Sequence, residues 1–205
     1  MTSLPPRDPQ KDNLLAPGNA ALIIIDYQPV QISSVNSMPR ERLVDNIVTV
    51  AKIAQLYGLP IVLSTVNVAD GRNADTIPRL KAVLDGVTSY DRTSINAWED
   101  KEFRDAVIAT KRQRFISCAL WTEACLSFAS LDMLAEGYQV YAMTDSVAGT
   151  TRIANHMALH RLEQAGARMT SIPQVLCELQ RDWNRTDTVE GFMDEMFASG
   201  TFPQL

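Results

Sequence analysis

The chain has 205 residues, of which 46% are apolar and 21% charged, and its formal net charge is -5. This length suits one globular domain rather than two, and an acidic balance without a run of Lys or Arg disfavours nucleic acid as a partner. Since no stretch approaches the ~18 apolar residues of a membrane-spanning helix, we also expect no membrane partner.

The first 17 residues form a polar arm that contains four prolines and lacks the apolar stretch of a secretory signal. Three cysteines with no CxxC spacing argue against a disulfide framework and favour a reducing compartment. We therefore predict a cytoplasmic protein. Its expected parts are an N-terminal arm at residues 1–17, one domain at 18–185, and a C-terminal helix and tail at 186–205.

Short apolar runs then alternate with helical patterns along the chain. Residues 20–25 form an unbroken apolar run, which predicts a strand buried on both faces. Further strands are predicted at 59–66, 114–120, 139–144 and 168–172. Helices are predicted at 40–57, 79–84, 100–110, 122–136, 152–165, 174–183 and 189–198. This alternation predicts a three-layer α/β sandwich with a mostly parallel central sheet.

Ligands of such sheets bind beyond the carboxyl ends of the strands, so the residues at those ends matter most. Asp26, Asn67, residues 121–125 and Asp145 occupy these positions. A carboxylate directly after an apolar strand is costly unless it is partnered or functional. Asp26 is therefore either a cap for a neighbouring loop or an acid/base group.

Cys125 lies in the predicted first turn of the helix that follows the third predicted strand. Free N–H groups and the positive end of the helix dipole would stabilise its thiolate there. Thr122 is a candidate N-cap, and N–H groups near Ala124 and Cys125 are candidates for holding an oxyanion. The alternative is that Cys125 is a small buried apolar residue. Arg92, taken alone, reads as a solvated surface arginine.

Several motifs, taken in order, resemble the isochorismatase-like cysteine hydrolases. They are Ile25-Asp26-Tyr27-Gln28, Arg92 six residues before Trp98, Trp121-Thr122-Glu123-Ala124-Cys125, Thr144-Asp145-Ser146, and the segment 156–162. The resemblance covers roughly residues 20–197, a domain-sized stretch. It implies the isochorismatase-like hydrolase fold and cleavage of a small amide-like C–N bond through a thioester.

The family implies a triad of Asp, Lys and Cys, which falls on Asp26, Arg92 and Cys125. Arginine at the lysine position is a departure, because it keeps the positive charge but cannot give up a proton. The family also implies a cis peptide before the motif threonine, here between Trp121 and Thr122. With Ala124, these two residues form the expected oxyanion and cis-peptide region.

We further predict Gln28, Asn67 and Trp98 as residues of the substrate pocket. Relatives that deamidate nicotinamide carry an Asp and paired histidines after the second strand, but residues 67–73 contain no histidine. We therefore predict no metal and no cofactor. Loops at 31–38, 69–77 and 146–152 are expected to set substrate specificity.

Assembly into a homo-oligomer is also expected, and the branch that this sequence resembles is associated with octamers. The arm and the apolar residues at 192–202 extend beyond the predicted sheet-and-helix unit. Exposed apolar segments of this kind usually mark contact surfaces.

Three alternative functions differ from amide hydrolysis. Vinyl-ether hydrolysis of isochorismate needs an acid and no thiol, so Cys125 argues against it. A receiver-type regulatory domain would need an Asp at the end of the third predicted strand, where this chain has Trp121. A redox-sensing thiol protein would present the same cysteine without turnover.

Overall fold

A computed structural model describes residues 4–201. Its centre is one sheet of six strands: β1 Ala20–Ile25, β2 Ile61–Val66, β3 Ser89–Arg92, β4 Arg114–Ala119, β5 Gln139–Met143 and β6 Arg168–Thr170. The strands lie in the order β3-β2-β1-β4-β5-β6, and every neighbouring pair is parallel. The predicted parallel α/β sheet is therefore confirmed.

The helices of the described residues are α1 Pro29–Ser33, α2 Arg40–Leu56, α3 Pro78–Val83, α4 Lys101–Ala109, α5 Ser127–Ala135, α6 Arg152–Gln164, α7 Ile172–Gln180 and α8 Thr186–Ala198. A 3₁₀ turn covers Ala97–Glu99, and a π turn covers Thr122–Leu126. Between residues 4 and 201, none of the helices combines the length and the apolar composition needed to cross a bilayer.

The three layers follow from alternation along β1. Ala20, Leu22 and Ile24 face a core cluster shared with α2, α7 and α8, whereas the other three residues of the strand face a cluster shared with α4, α5 and α6. Because successive side chains of a strand point to opposite faces, a strand that is covered on both sides must be apolar throughout. This explains the unbroken run in the sequence.

The strand order places a switch point between β1 and β4. The chain builds outward from β1 through β2 to β3, and then crosses to start the other half of the sheet at β4. In open α/β sheets, the crevice beyond the carboxyl ends at such a point is the usual ligand site. Asp26 follows β1 and Cys125 follows β4, so the topology brings both to this crevice.

Three elements differ from the sequence prediction. The short helix α1 was not predicted. The strand β3 was not predicted, because Ser-Tyr-Asp-Arg is a polar edge strand without the apolar signal of a buried one. The helix predicted at 122–136 is divided into the π turn and α5, so Cys125 lies in the π turn rather than in the first turn of an α-helix.

The N-terminal arm and α8 pack on their own chain. Leu15 is fully buried, its N–H donates to Glu178 Oε2 at 2.6 Å, and Arg114 Nη1 donates to the carbonyl of Leu14 at 2.7 Å. Phe192 and Met196 of α8 belong to the main core cluster. These segments therefore contribute to the chain's own core, so their apolar residues no longer indicate a contact surface between subunits. The part of the predicted tail beyond residue 201 lies outside the described residues.

Candidate active site

Asp26 is held at the end of β1 in an uncommon backbone conformation. Its φ is 62°, its N–H donates to the carbonyl of Ser64 at 3.0 Å, and the residue is fully buried. Aspartate tolerates the left-handed region better than most residues, although it still carries some strain there. The side chain therefore turns away from the core cluster of β1 and into the crevice.

Arg92 forms a two-pronged ion pair with Asp26. Nη1 lies 2.7 Å from Oδ1 and Nη2 lies 2.7 Å from Oδ2, and both side chains are 0% exposed. The guanidinium reaches across β2 and also donates to Ser64 Oγ at 3.1 Å and to the carbonyl of Thr65 at 3.0 Å. The reading of Arg92 as a solvated surface residue is therefore wrong, because β3 carries it into the interior.

The ion pair keeps Arg92 charged. Burial acts against its positive charge, but the hydrogen bonds and negative charge of Asp26, assisted by Cys125, raise the pKa of Arg92. Its Nε is buried without a hydrogen-bond partner among the described residues. Arg92 can therefore position a carboxylate and supply charge, but it cannot exchange a proton.

Cys125 completes the group. It is 7% exposed, and its pKa is affected by Asp26, by the Arg92 guanidinium and by the backbone N–H of Trp121. Burial first, and then the charge and hydrogen bond of Asp26, raise the pKa of Cys125 well above that of a free cysteine. The expected stabilised thiolate is therefore wrong for the resting site, because burial and the carboxylate outweigh the helix-end effect. The resting group is a thiol beside a carboxylate.

Removing the charge of Asp26 is expected to make Cys125 easier to ionise. In Asp26→Asn the pKa of Cys125 falls, since the negative charge that raises it is gone and the unpaired Arg92 acts in the opposite sense. Alkylation by iodoacetamide should therefore begin at lower pH than in the parent, measured by peptide mass spectrometry between pH 7 and about pH 10.

The exposed Cys177 provides an internal reference, because its alkylation rate should be equal in the two proteins. A Cys125 profile that is unchanged or shifted to higher pH, in a variant that melts as a folded protein, would contradict this electrostatic assignment.

The predicted oxyanion donors are already engaged. The N–H of Thr122 donates to Ala148 O at 3.0 Å, and that of Ala124 donates to Trp121 O at 3.1 Å. Thr122 is also not an N-cap, because its hydroxyl donates to Asn155 Oδ1 at 2.7 Å. The π turn accounts for the second of these backbone bonds, since its wider path lets the carbonyl of Trp121 accept the N–H groups of both Ala124 and Leu126.

The cis peptide lies between Leu120 and Trp121, one bond before the predicted position. The N–H of Leu120 still pairs with Ile25 O at 3.1 Å, in continuation of the sheet. The chain leaves the sheet directly after Leu120, so the turn falls before Trp121 rather than after it.

Glu123 is a site residue that the sequence reading missed. Its Oε1 accepts the N–H of Thr150 at 2.9 Å and the hydroxyl of Thr150 at 2.6 Å. The other carboxylate oxygen is buried without a hydrogen-bond partner in the described part of the chain. The available signal was an acidic residue inside the motif that carries Cys125. Glu123 joins the π turn to the loop before α6.

Gly149→Ala is expected to loosen this link. A Cβ at Gly149 would lie 2.5 Å from Glu123 Oε2 and 3.0 Å from the backbone N of Asn155, so either the carboxylate or the loop must move. We expect a loss of about 1–3 kcal/mol in the free energy of unfolding, measured with urea.

The combination with Glu123→Ala tests the cause. Removing the carboxylate relieves the clash, so Glu123→Ala/Gly149→Ala should be less destabilised than the sum of the single variants. Simple additivity would show that Gly149 is needed for another reason.

The structure separates the three predicted pocket residues. Gln28 is fully buried, accepts the N–H of Val66 at 2.9 Å and donates to Ala74 O at 2.7 Å, so its amide joins both ends of the loop after β2. Trp98 donates from Nε1 to Glu136 Oε1 at 2.9 Å, just after α5, and belongs to the same core cluster as Cys125. Asn67 lies directly after β2, and its Oδ1 is buried without a partner among residues 4–201.

Two other predicted positions have structural partners. Trp121 donates from Nε1 to Ser34 Oγ at 2.8 Å, which holds the indole beside the loop that follows α1. Asp145 accepts the N–H of Ile172 at 2.8 Å and so caps the start of α7. Within the described residues 4–201, no group of three His, Cys, Asp or Glu side chains has an arrangement suited to a metal ion.

A six-stranded parallel sheet with a buried Asp-Arg-Cys group at its switch point defines an α/β protein of hydrolase type. The isochorismatase domain model matches residues 20–174, which is most of the chain. The protein therefore belongs to the isochorismatase family. The probable hydrolase YcaC of Escherichia coli (strain K12) is 34% identical over 174 residues, covering 84% of this chain and 82% of the relative.

Solved structures agree with this assignment. YcaC from Pseudomonas aeruginosa superposes with a TM-score of 0.85 at 30% identity, covering 91% of this chain and 92% of its own. YcaC from Escherichia coli, described as an octameric hydrolase of unknown specificity, gives a TM-score of 0.81 at 28% identity and covers 93% and 98%. A Bacillus subtilis nicotinamidase shares the fold, with a TM-score of 0.64 at 16% identity over 75% of this chain and 100% of its own.

Proposed function

We propose that the protein is a cysteine hydrolase that cleaves the C–N bond of a small amide through a thioester. The observation that carries this proposal is the placement of Cys125 beside a buried carboxylate whose two oxygens are both fixed by Arg92. A nucleophile, a proton acceptor and an orienting partner are the three parts that covalent catalysis of this kind requires.

The first half of the reaction transfers one proton. As the Cys125 sulfur attacks the carbonyl carbon, its proton passes to Asp26, and the new C–S bond replaces the C–N bond when the amine leaves. Asp26 returns the proton to the leaving nitrogen. Attack and proton transfer are coupled, because the raised pKa of Cys125 leaves almost no free thiolate at neutral pH.

The second half regenerates the enzyme. A water molecule attacks the thioester carbon and gives one proton to Asp26. The C–S bond breaks, the carboxylic acid product leaves, and the proton on Asp26 passes to the sulfur. Arg92 stays a cation throughout; it orients the carboxylate and offsets negative charge near the sulfur.

Asn67 supports an amide that still carries an N–H as the substrate. Its buried Oδ1 is an acceptor without a donor, and an unpaired buried polar atom is costly unless a ligand satisfies it. A primary amide would supply that donor, and its product nitrogen would leave as ammonia. An ester of the same shape would not.

Relatives provide separate support for the nucleophile. The YcaC structure from Pseudomonas aeruginosa contains covalent acrylamide, so that protein presents a group that reacts with an electrophile. The alternatives fit this site less well. Vinyl-ether hydrolysis needs no thiol, whereas this site places Cys125 beside the Asp26–Arg92 pair. Redox-sensing cysteines are exposed and have a low pKa, unlike Cys125.

A screen for ammonia release over small primary amides tests the proposal, with each amide paired with its N,N-dimethyl amide and its methyl ester. We expect turnover of at least one primary amide and loss of this activity in Asp26→Asn. Hydrolysis confined to esters or to a vinyl ether would refute cleavage of a C–N bond.

We also propose a cytoplasmic homo-oligomer with the eight chains described for the Escherichia coli YcaC structure. Ile153 and Met157 occupy neighbouring positions on α6 and are 76% and 51% exposed, which suits a surface covered by another copy. Light scattering at micromolar concentration should give about eight times the 22.7 kDa chain mass. A stable monomer would refute this assembly.

A further inference from the structure

A polar cavity lies at the amino ends of the strands, whereas the candidate active site lies beyond their carboxyl ends. It has a volume of about 430 Å³, and its lining includes Arg114 and Gln139, the first residues of β4 and β5. The six residues of β1 separate the amino end of that strand from Asp26, a distance of roughly 20 Å. The volume is within the usual range of about 300–1,000 Å³ for small-molecule sites.

The charge of this cavity contrasts with the acidic chain around it. Lys111, Arg112 and Arg114 line it, and none of its lining residues is Asp or Glu. None of the three cations belongs to an ion pair within the described residues. In a protein of net charge -5, three unneutralised cations around one concave surface favour an anion there.

Two buried atoms in the lining lack partners. Arg112 Nε is a donor without an acceptor, and Gln139 Oε1 is an acceptor without a donor, in each case among residues 4–201. Arg114 Nη1, by contrast, is satisfied by the carbonyl of Leu14 at 2.7 Å. The ends of α4 and α5 nearby favour positive charge, but a helix end does not account for an unpartnered guanidinium N–H.

We propose that this cavity binds a small phosphate monoester that carries hydroxyl groups. The phosphate would accept hydrogen bonds from Arg112 and lie among the three cations, because guanidinium and phosphate pair strongly in a fixed geometry. A ligand hydroxyl would donate to Gln139 Oε1. This inference is independent of the amide hydrolysis proposed for the site at the carboxyl ends of the strands.

Calorimetry with glucose 6-phosphate, inorganic phosphate and glucose tests the proposal on the full chain. We expect glucose 6-phosphate to bind, inorganic phosphate to bind more weakly, and glucose not to bind. Arg112→Gln should weaken glucose 6-phosphate binding about tenfold or more, the effect of losing one charge-assisted hydrogen bond.

Two controls keep the proposal falsifiable if Arg112→Gln is unstable. Arg161→Gln removes the same charge from the exposed end of α6 and should change affinity by less than about twofold, since exposed charges are screened. Cys125→Ala should bind as the parent does, because the cavity is remote from the thiol. No binding at millimolar ligand, equal weakening by Arg161→Gln, or loss of binding in Cys125→Ala would each overturn the proposal.

Discussion

Replacing Cys125 by alanine is expected to reduce amide turnover by a factor on the order of 10⁴ or more, as for other enzymes that lose a covalent nucleophile. The remaining Asp26–Arg92 pair could still polarise water, but it has no atom that forms the acyl intermediate. The measurement is ammonia release under saturating substrate, with the folded state checked by thermal melting.

Cys118→Ala is the matched control. Cys118 is buried like Cys125, at 0% against 7% exposed, but it lies within β4 and packs in the opposite core cluster. Its removal should change turnover by less than about threefold, although the small cavity should cost about 1 kcal/mol of stability. Retained activity in Cys125→Ala, or an equal loss in Cys118→Ala, would exclude Cys125 as the nucleophile.

Replacing Arg92 by methionine should destabilise the fold by about 3–5 kcal/mol, because it leaves the Asp26 carboxylate buried without its counter-charge. Urea unfolding measures this loss of stability.

Two further variants identify the cause of this loss. Arg79→Met breaks the Arg79–Asp45 pair, whose side chains are 60% and 50% exposed, and should cost less than about 1 kcal/mol. Asp26→Asn/Arg92→Met removes both buried charges and should recover part of the stability lost in Arg92→Met. A double variant as unstable as the sum of its parts would show that Arg92 supports the fold mainly through Ser64 and Thr65.

The sequence predicted the elements whose signal is local. The strand at Ala20–Ile25 follows from one apolar run, and the positions of Asp26 and Cys125 at neighbouring strand ends follow from the βα alternation. These patterns depend on burial, which composition records directly. Together with the family resemblance, these patterns are sufficient to predict that Asp26 and Cys125 lie in the same crevice.

What could not be predicted depends on partners that are distant in the chain. Arg92 is buried only because the polar strand β3 joins the sheet, and its carboxylate partner lies 66 residues earlier. The protonation state of Cys125 is set by that same pair and by burial, neither of which the helix-end argument contains. The position of the cis bond depends on where the ladder with β1 ends, and the roles of Gln28 and Trp98 depend on which groups fold against them.

The hydrogen bonds of Gln28 determine which part of the loop after β2 can vary in length and sequence. The Gln28 side chain hydrogen-bonds to both Val66 and Ala74, and Asp91 accepts the N–H groups of Val68 and Ala69. The loop after β2 is therefore held by hydrogen bonds near both of its ends. Within this loop, the tip at residues 70–72 is exposed and takes part in none of the hydrogen bonds to Gln28 and Asp91. Longer or altered tips cost little loop-closure entropy. Insertions there should therefore leave Asp26, Arg92 and Cys125 where they are.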